Sequence, residues 1–464
     1  MPDGWEWTSV SEITLPIEKV IPQERFAKQF TYLDISSIDN KVHKIIDPKV
    51  YLNVDAPSRA RQLVQANDIL FSTVRTYLEN VALVPEIFDG QIASTGFAVL
   101  RANNAILPKL IFYYCLTKTF LEPLNELQRG TSYPAVRDSD VRAQPFPLPP
   151  LLEQERIVAK IEELFTQLEA GTTALRCVQA ELKRYKASVL KSACEGRLVP
   201  QDPSDEPAEE VLRRLGKVPR EGDELPTLPE RWCWTKVGDL SRKIQYGTSE
   251  KANLDSSGIP VLRMGNIQDG QLDFSNMKYL PIYTKGLNDL ILDDGDLIFN
   301  RTNSAELVGK TAVYKNHHIK ATFASYLIRV KFQGHCIPDY ISFYINSLLG
   351  RKFIASVVSQ QVGQANVNGT KLANMTIPLP PLAEQLRIVA EVERRLSVIQ
   401  ELEGVVSANL KRAERLRQSI LKRAFEGKLL EQNTEDKMGK ELLEMKNTAG
   451  EAADTSGFKQ ENLF

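Results

Sequence analysis

A long motif that occurs twice constrains the fold more than any other feature of the chain. The sequence Pro-Leu-Pro-Pro-Leu-x-Glu-Gln-x-Arg-Ile-Val-Ala begins at Pro147 and again at Pro378. Residues 147–198 align with 378–429 without a gap, and 20 of these 52 positions are identical. The interval between the two copies is close to half of the 464-residue chain, so we expect one architecture to be built twice.

A long helix is predicted to follow each copy of the motif. The two adjacent prolines suit a helix start, and Gly196 and Gly427 stand where a C-cap is expected. Each helix would then have about 45 residues and a length of about 65 Å. Apolar residues recur at heptad spacing, so we expect the two helices to pack against each other in antiparallel orientation. The alternative is that they are ordinary long core helices. The predicted seam consists of Ile157, Ile161, Leu164, Leu168, Leu175, Val178, Leu182, Tyr185 and Val189 in the first helix, and of Ile388, Val392, Leu396, Ile399, Leu402, Val406, Leu410, Ala413, Leu416 and Ile420 in the second.

A globular part of mixed α and β structure is predicted before each long helix. Short apolar runs at 69–71, 97–100, 261–264 and 326–330 predict strands, and 110–116 and 340–345 predict helices. A Trp-x-Trp-Thr sequence opens both parts, but residues 25–65 and 245–290 have no match in the other half. The predicted fold class is α+β. The predicted segments are a first globular domain at 1–146, helix 147–198, an acidic and proline-containing linker at 199–228 with a short helix near 209–215, a second globular domain at 229–377, helix 378–430, and a partly disordered polar tail at 431–464.

Composition excludes several classes of protein. No apolar run approaches the roughly 20 residues of a membrane span, and the N-terminal residues lack the pattern of a secretion signal. The five cysteines form no CxxC pair, so neither a zinc site nor a disulfide framework is indicated, and a cytoplasmic location is expected.

The search for an active site nominates no catalytic, cofactor-binding or metal-binding residue. Phosphate-binding glycine motifs and the Asn-Pro-Pro-aromatic motif of adenine methylation are missing from the sequence. His317 and His318 are adjacent, so in a strand they would point to opposite faces and could not chelate one ion. The acidic run Asp293–Asp296 resembles a metal loop, but a turn into a strand is the better interpretation because Asp68 precedes the matching strand.

These motifs resemble the specificity (S) subunits of type I restriction–modification enzymes. The resemblance rests on the duplicated helix-entry motif, the Trp-x-Trp openings, the Gly-Asp-Leu-Ile-Phe run at 295–299, and the stretch from Gly363 to Asn368. The first half departs from the pattern, because it has Gly-Thr-Ser-Tyr-Pro at 130–134 where the second has Gly-Gln-Ala-Asn.

The resemblance implies a non-catalytic subunit in which each globular part is a target recognition domain. Each would read one half of a split double-stranded DNA sequence, and the helices would fix an unread spacer and dock two modification (M) subunits. The M subunits would bind S-adenosylmethionine and methylate adenine, and restriction (R) subunits using ATP and Mg would join for cleavage. The alternatives are a scaffold that binds proteins through two divergent domains, or an enzyme such as part of a fused DNA methyltransferase.

Charge gives uneven support for DNA binding. The chain carries a net charge of −1; residues 229–377 hold 17 basic and 12 acidic residues, and residues 1–146 hold 15 and 17. Arginine pairs well with guanine, and asparagine or glutamine with adenine, so polar loops after strands and before the long helices are the candidates. The predicted DNA-binding residues are Arg75, Thr76, Tyr77, Arg129, Tyr133, Arg263, Asn266, Arg301, Asn303, Ser304, Gln361, Gln364 and Asn366. The predicted M-docking residues, expected to be exposed, are Leu148, Pro149, Pro150, Leu151, Leu379, Pro380, Pro381 and Leu382.

Overall fold

The computed structural model describes residues 2–25, 28–222, 225–315, 319–361 and 364–431. His317, His318, Gly363 and the predicted tail beyond Glu431 lie outside the described residues. The chain divides into two compact units, the first made of residues 2–175 and 408–431, the second of residues 176–407. No helix in the described part of the chain is long and apolar enough to cross a membrane.

The first globular part is a mixture of short strands and short helices. Its strands are β1 (Glu6–Ser9), β2 (Thr14–Leu15), β3 (Gln29–Leu33), β4 (Ile38–Asp39), β5 (Lys44–Ile45), β6 (Lys49–Leu52), β7 (Ala60–Leu63), β8 (Ile69–Ser72), β9 (Val81–Leu83), β10 (Ile92–Ser94), β11 (Phe97–Ala102) and β12 (Pro145–Leu148). Its helices are α1 (Pro108–Cys115), α2 (Lys118–Glu126) and α3 (Asp138–Arg142).

The long helix α4 (Leu151–Cys194) and the short helix α5 (Ala208–Arg214) lead to a second globular part of the same kind, which is followed by α10 (Leu382–Phe425). The strands of this part are β13 (Cys233–Lys236), β14 (Ser241–Tyr246), β15 (Ile259–Leu262), β16 (Ile267–Gln268), β17 (Gln271–Leu272), β18 (Lys278–Leu280), β19 (Leu297–Asn300), β20 (Thr302–Asn303), β21 (Thr311–Val313), β22 (Thr322–Phe323), β23 (Leu327–Phe332), β24 (Ser359–Gln361), β25 (Gln364–Asn366) and β26 (Thr376–Leu379). Its helices are α6 (Val237–Leu240), α7 (Pro338–Asn346), α8 (Leu348–Val357) and α9 (Gly369–Ala373).

The two globular parts share one strand order. The sheet β2-β11-β8-β9 of the first matches β14-β23-β19-β21 of the second. In a further sheet, β3 pairs antiparallel with β6 and parallel with β10, just as β15 pairs with β18 and β22. The stretches 25–65 and 245–290 thus adopt related structure although their sequences do not match. The strands and helices predicted from apolar runs are confirmed, but three bounds differ from the prediction. β15 ends at Leu262, β23 begins at Leu327 and α1 ends at Cys115.

The long helices end as predicted but belong partly to the globular cores. Each has 44 residues, about 66 Å at 1.5 Å per residue. The glycines after them take positive φ angles of 68° at Gly196 and 66° at Gly427, as left-handed C-caps do. In the first unit the start of α4 and the end of α10 enter one core, through Ile157, Ile161, Ile420 and Leu421.

The second unit repeats this arrangement with the helix ends exchanged. The end of α4 contributes Val189 and Ala193 to its core, and the start of α10 contributes Ile388 and Val392. In each unit, then, the start of one long helix lies in the same core as the end of the other, which confirms the antiparallel orientation. The prediction that the two helices pack on each other and the alternative that they are core helices are therefore both partly right, because the ends of the long helices also lie in the globular cores.

The heptad seam is not buried along its whole predicted length. Ile399 and Val406 are buried, whereas Val178, Leu402 and Leu416 are between 45 and 48 % exposed. A two-helix pair buries only a narrow stripe of each helix, and apolar spacing alone does not show which positions that stripe includes. The exposed positions leave apolar surface on both long helices.

A buried hydrogen bond joins each globular part to the start of a long helix. The indole nitrogen of Trp5 donates to Glu153 Oε2 over 2.9 Å, and that of Trp232 donates to Glu384 Oε2 over the same distance. Both glutamates lie in the first helical turn, where the helix dipole favours a negative charge. Burial raises the pKa of Glu384, and the hydrogen bond from Trp232 opposes that rise.

We call this connection between a globular part and the start of a long helix the joint. The glutamine that follows each of these glutamates also holds the joint, through hydrogen bonds to backbone groups. Gln154 Oε1 accepts the backbone N–H of Leu107 at 2.9 Å, and its Nε2 donates to the carbonyls of Ala105 and Pro149 at 3.0 and 2.9 Å. Gln385 likewise accepts from Ile337 N–H at 2.8 Å and donates to the carbonyl of Pro380 at 2.9 Å. The Glu-Gln pair of the repeated motif is therefore the connection between helix and globular part.

We expect Trp232→Phe to lower the free energy of unfolding by about 1–3 kcal/mol, because Glu384 then stays buried without its indole donor. Glu384→Gln keeps a side-chain oxygen that can accept the same hydrogen bond, so its loss should be smaller. Chemical denaturation followed by far-UV circular dichroism measures both variants. Equal stability of Trp232→Phe and the parent protein would show that this hydrogen bond does not hold the joint.

Candidate nucleic-acid interface

Two polar loops of the first globular part come together beside β8. Val74 and Arg129 each form a β-bridge with Ala135, so the loop after β8 pairs with the loop that precedes α3. Arg75 has a left-handed backbone with φ of 50°, which its N–H stabilises by donating to the carbonyl of Pro134 at 2.7 Å. The predicted residues around Arg75 and Tyr133 therefore share one surface.

The side chains of this surface divide into exposed and supporting groups. The Arg75 guanidinium lies 4.9 Å from the centre of the Tyr133 ring and donates to the carbonyl of Ser132 at 3.1 Å. Tyr133 is 72 % exposed and Tyr77 52 % exposed, and Arg129 is also exposed. Thr76 is buried and donates to Asn125 Oδ1 at 2.6 Å, so its hydroxyl supports the loop from inside.

In the second globular part a small sheet joins the two corresponding loops. β20 pairs with β25, and β25 pairs with β24, so the loop after β19 again meets the segment that precedes the next helix. Asn366 Nδ2 donates to Thr302 Oγ1 at 2.8 Å, while Asn303 Oδ1 accepts the backbone N–H of Ser304 at 2.8 Å. Ser304 and Gln364 are exposed. Gln361 ends β24, which places its backbone in the same sheet.

Arg301 repeats the stacking of Arg75 with a different aromatic partner. Its guanidinium lies 4.8 Å from the centre of the Tyr246 ring, and Nη1 approaches the carbonyl of Ser325 at 3.4 Å. The Tyr246 hydroxyl accepts the backbone N–H of Gly369 at 2.8 Å, which fixes the ring. The Nε atoms of Arg75 and Arg301 are both buried without a hydrogen-bond partner. Stacking on a tyrosine ring holds an arginine side chain in place. Most of the N–H donors of its planar guanidinium then remain for a ligand.

A cavity of about 450 Å³ adjoins the Arg301 loop and contains the third predicted cluster. Arg263, Asn266 and Tyr326 line it, and the carbonyl of Tyr326 accepts the backbone N–H of Arg301 at 3.0 Å. Asn266 is only 3 % exposed, donates to the carbonyl of Asp273 at 2.8 Å and accepts from the N–H of Arg263 at 2.9 Å. Its amide therefore holds the loop, which leaves Arg263 as the more accessible of the two predicted residues.

Sequence reasoning missed two tyrosines of this surface. Tyr246 lies in the stretch 245–290, which has no counterpart in the first half, so no repeat pointed to it. Tyr326 was assigned to a strand, but β23 begins at Leu327, and the Tyr326 side chain is 46 % exposed. The turn that precedes β23 could be recognised only from the structure.

The expectation that the helix-entry motif is exposed was wrong. Leu148 and Leu379 are fully buried, and the four prolines that follow them are buried as well. The physical reason is that these residues end β12 and β26, which pair with β1 and β13, and then turn directly into the long helices. Leu151 and Leu382 are half-buried, so none of the eight predicted docking residues offers a fully exposed side chain: Leu148, Pro149, Pro150, Leu151, Leu379, Pro380, Pro381 and Leu382.

The acidic run Asp293–Asp296 forms a turn into β19, which is the interpretation that the sequence favoured over a metal loop. Asp68 accepts two hydrogen bonds from Arg101, at 2.9 and 2.7 Å, and Asp296 lies 3.3 Å from Arg329 Nη1 at the matching position. Each carboxylate thus balances a partly buried or buried arginine on the neighbouring strand. Among the described residues no group of histidine, cysteine, aspartate and glutamate side chains is arranged to hold a metal ion.

Comparison with known families decides what kind of protein carries these surfaces. A family model described as the type I restriction modification DNA specificity domain matches residues 12–175 and 229–405. The chain belongs to this family. The specificity subunits of type I restriction–modification systems assemble with modification and restriction subunits, and the alternatives of an unrelated scaffold or a fused methyltransferase are not favoured.

Individual relatives agree with the family over most of the chain. The type I restriction enzyme StySPI specificity subunit of Salmonella potsdam is 26 % identical over 441 residues, covering 93 % of this chain and 90 % of the relative. The EcoKI specificity subunit of Escherichia coli strain K12 is 27 % identical over 336 residues, or 72 % of this chain and 68 % of the relative.

Two solved structures are similar to this specificity subunit over most of its length. A chain from a structure of the assembly and conformational transition of the type I R-M system is 30 % identical, with a TM-score of 0.70. It covers 92 % of this chain and 99 % of that chain. The HsdS subunit from Thermoanaerobacter tengcongensis is 29 % identical, with a TM-score of 0.55, over 92 % of this chain and 98 % of that chain.

Proposed function

We propose that this specificity subunit binds double-stranded DNA and reads a bipartite target, one half with each globular part. The observation that carries the proposal is that both parts build the same bridge between two loops and fill it with different polar side chains. A shared framework with divergent polar residues is what two independent readers of two different sequences require. The stretch between the two half-sites would be counted and not read.

Arg301 and Arg75 are the residues best prepared for base recognition. Each is oriented by a tyrosine ring beneath its guanidinium, which lowers the entropy lost when the side chain binds a base edge. Arginine to the O6 and N7 atoms of guanine is the commonest specific contact in the major groove. Around Arg301, the exposed Gln364 and the amide of Asn303 would supply the partners suited to adenine.

The buried predicted residues would act by positioning. Thr76 and Asn266 are buried and hold their loops through hydrogen bonds, so they would set the direction of Arg75 and Arg263 without touching the duplex. Phosphate contacts contribute affinity without sequence information, and base contacts determine specificity. The net positive charge of residues 229–377 favours the phosphate backbone, whereas the first globular part would depend more on its partners for that attraction.

We expect Arg301→Ala to relax sequence preference at one position of one half-site, because a bidentate contact contributes about 1–3 kcal/mol of discrimination. Arg301→Lys is the matched control, since it keeps the charge and loses the planar fork. Methylation by the reconstituted complex, mapped over a library of duplexes, measures both variants. If Arg301→Ala lowers methylation of all duplexes equally and leaves the sequence preference unchanged, Arg301 contacts phosphate and does not read a base.

We also propose that the chain is not catalytic itself and that two M subunits bind each copy. S-adenosylmethionine would then be bound by M, and ATP and Mg by the R subunits. The duplicated joint and the antiparallel helix ends offer two similar surfaces, and similar surfaces bind similar partners. The buried prolines would shape this surface, while exposed apolar side chains near the helix starts, Leu152 at 57 % and Leu386 at 55 %, would make contact.

One preparation tests stoichiometry and catalysis together. The complex of the chain with co-expressed M should have the mass of two M subunits per chain and should bind S-adenosylmethionine, which the purified chain alone should not bind. A mass equal to one M per chain would contradict the first statement. Binding of S-adenosylmethionine by the chain alone would contradict the second.

A further inference from the structure

A cavity of about 730 Å³ lies where the second globular part meets the end of α4 and the start of α10. Leu190 of α4, Leu396 of α10 and Phe343 of α7 form apolar walls, and the hairpin of β16 and β17 adds Leu272. The cavity shares no lining residue with the one beside Arg301. Cavities of roughly 300–1,000 Å³ that combine apolar walls with a few polar groups are the usual form of small-molecule sites.

The first globular part has aromatic rings at the equivalent place. The loop between β4 and β5 has four residues, against two between β16 and β17, and ends at His43. The centre of the buried His43 ring lies 6.4 Å from that of Phe112, and the rings of Tyr113 and Phe165 lie 5.7 Å apart. The Arg417 guanidinium lies 4.6 Å from the centre of the Phe165 ring. The first copy therefore fills this place with its own side chains.

The imidazole of His43 contributes to this cluster as a neutral ring. Burial, together with the nearby charge of Arg417, lowers the pKa of His43 to about 4. At neutral pH the side chain therefore carries no charge and packs beneath a cation, as an aromatic ring does.

The second copy has smaller side chains at the matching positions. Alignment of the first residues of α1 and α7 places Ser342 at the position of Phe112. The register of the duplication places Leu396 at the position of Phe165. The two-residue loop at 269–270 supplies no ring in place of the imidazole. Space that three rings occupy in the first copy thus remains open to a ring from another molecule.

Three basic side chains of the lining have no carboxylate partner among the described residues: Lys186, Lys310 and Arg351. All three are half-buried, and Lys186 stands where Arg417 stands in the first copy. Arg351 donates only to carbonyls, those of Val308 and Glu306 at 2.5 and 2.7 Å, and burial lowers its pKa. Cations held beside apolar walls without an anion favour binding of an anionic group.

The acidic side chains of the lining do not reverse this preference. Asp339 is the one half-buried carboxylate of the lining, and it pairs with Lys315 at 3.1 Å. Asp269, Glu306 and Glu393 are exposed, and solvent and salt screen their charges. The half-buried part of the cavity is therefore basic on balance.

We propose that this cavity binds a small molecule that carries an aromatic ring and an anionic group. The ring takes the place that His43 and its aromatic neighbours fill in the first copy, and the anionic group lies among Lys186, Lys310 and Arg351. The bound molecule contacts both long helices and the β16–β17 hairpin of the second globular part. The site is separate from the proposed DNA surface and does not depend on which DNA sequence is read.

Indole-3-acetate and indole-3-acetamide test the proposal on the full-length chain, because they share one ring and differ in charge. We expect indole-3-acetate to bind at least about tenfold more tightly, since hydrogen bonds to a charged group are the stronger ones. Titration followed by saturation-transfer NMR measures both dissociation constants. Absence of indole-3-acetate binding overturns the proposal, and equal binding of the two probes contradicts the anionic group.

The duplication supplies a variant that closes the site. Leu396→Phe places on α10 the ring that Phe165 supplies in the first copy, and it should weaken binding of indole-3-acetate at least about tenfold, because the probe loses the apolar contacts of its ring. Far-UV circular dichroism reports that the variant is folded. Unchanged affinity would place the probe elsewhere and overturn the proposal.

A lysine pair on α4 provides a second test that leaves the apolar walls intact. Lys186→Gln should weaken binding of indole-3-acetate and leave indole-3-acetamide unaffected. Lys183→Gln is the matched control, since Lys183 is exposed on the same helix and does not line the cavity. Equal effects of the two substitutions would contradict the assignment of Lys186.

Co-expressed M subunits distinguish a small-molecule site from a protein-docking site. If the chain does not bind indole-3-acetate and Leu396→Phe lowers the yield of its complex with M subunits, the cavity receives a protein segment and the proposal is wrong.

Discussion

The hydrogen bond from a buried indole to a buried glutamate at the start of each long helix is the contact on which the rest of the structure depends. It joins the beginning of a globular part to the first turn of the long helix that follows that part in the sequence. The glutamine one residue further on fixes the loop before the first helix of the same part, α1, or before its counterpart, α7. Because both side chains belong to the helix, the helix direction and the globular part are set together.

This joint explains why sequence is retained between the two copies in some places and lost in others. The helix-entry motif must satisfy a buried carboxylate and a buried amide, and unsatisfied polar groups of this kind are costly. The polar loops beside Arg75 and Arg301 are not constrained in this way, because exposed side chains there can change without disturbing a core. Under the proposed function, divergence of these loops on a constant joint would allow one subunit to specify two different half-sites.

The sequence predicted the duplication, the helix bounds and the helix orientation, because these depend on long apolar periodicity and on proline and glycine punctuation. It did not predict that 25–65 and 245–290 share a strand order, since strand pairing is decided by tertiary contacts and leaves little local signal. It nominated Arg75 and Tyr133 as candidates in two separate loops but did not predict that these loops meet, which only the structure shows. The burial of Pro149 and Pro380 was missed because a proline-rich segment looks the same in sequence whether it is a surface motif or the end of an inner strand.

Exchange of the first globular part is the most direct test of the account. A chain in which residues 1–146 come from a related specificity subunit keeps both long helices and the second globular part, and its complex can be mapped by sequencing the methylated genome. The account predicts that one block of the target changes while the other block and the number of spacer base pairs stay the same. Alteration of both blocks, or of the spacer, would contradict independent reading by two globular parts on a constant joint.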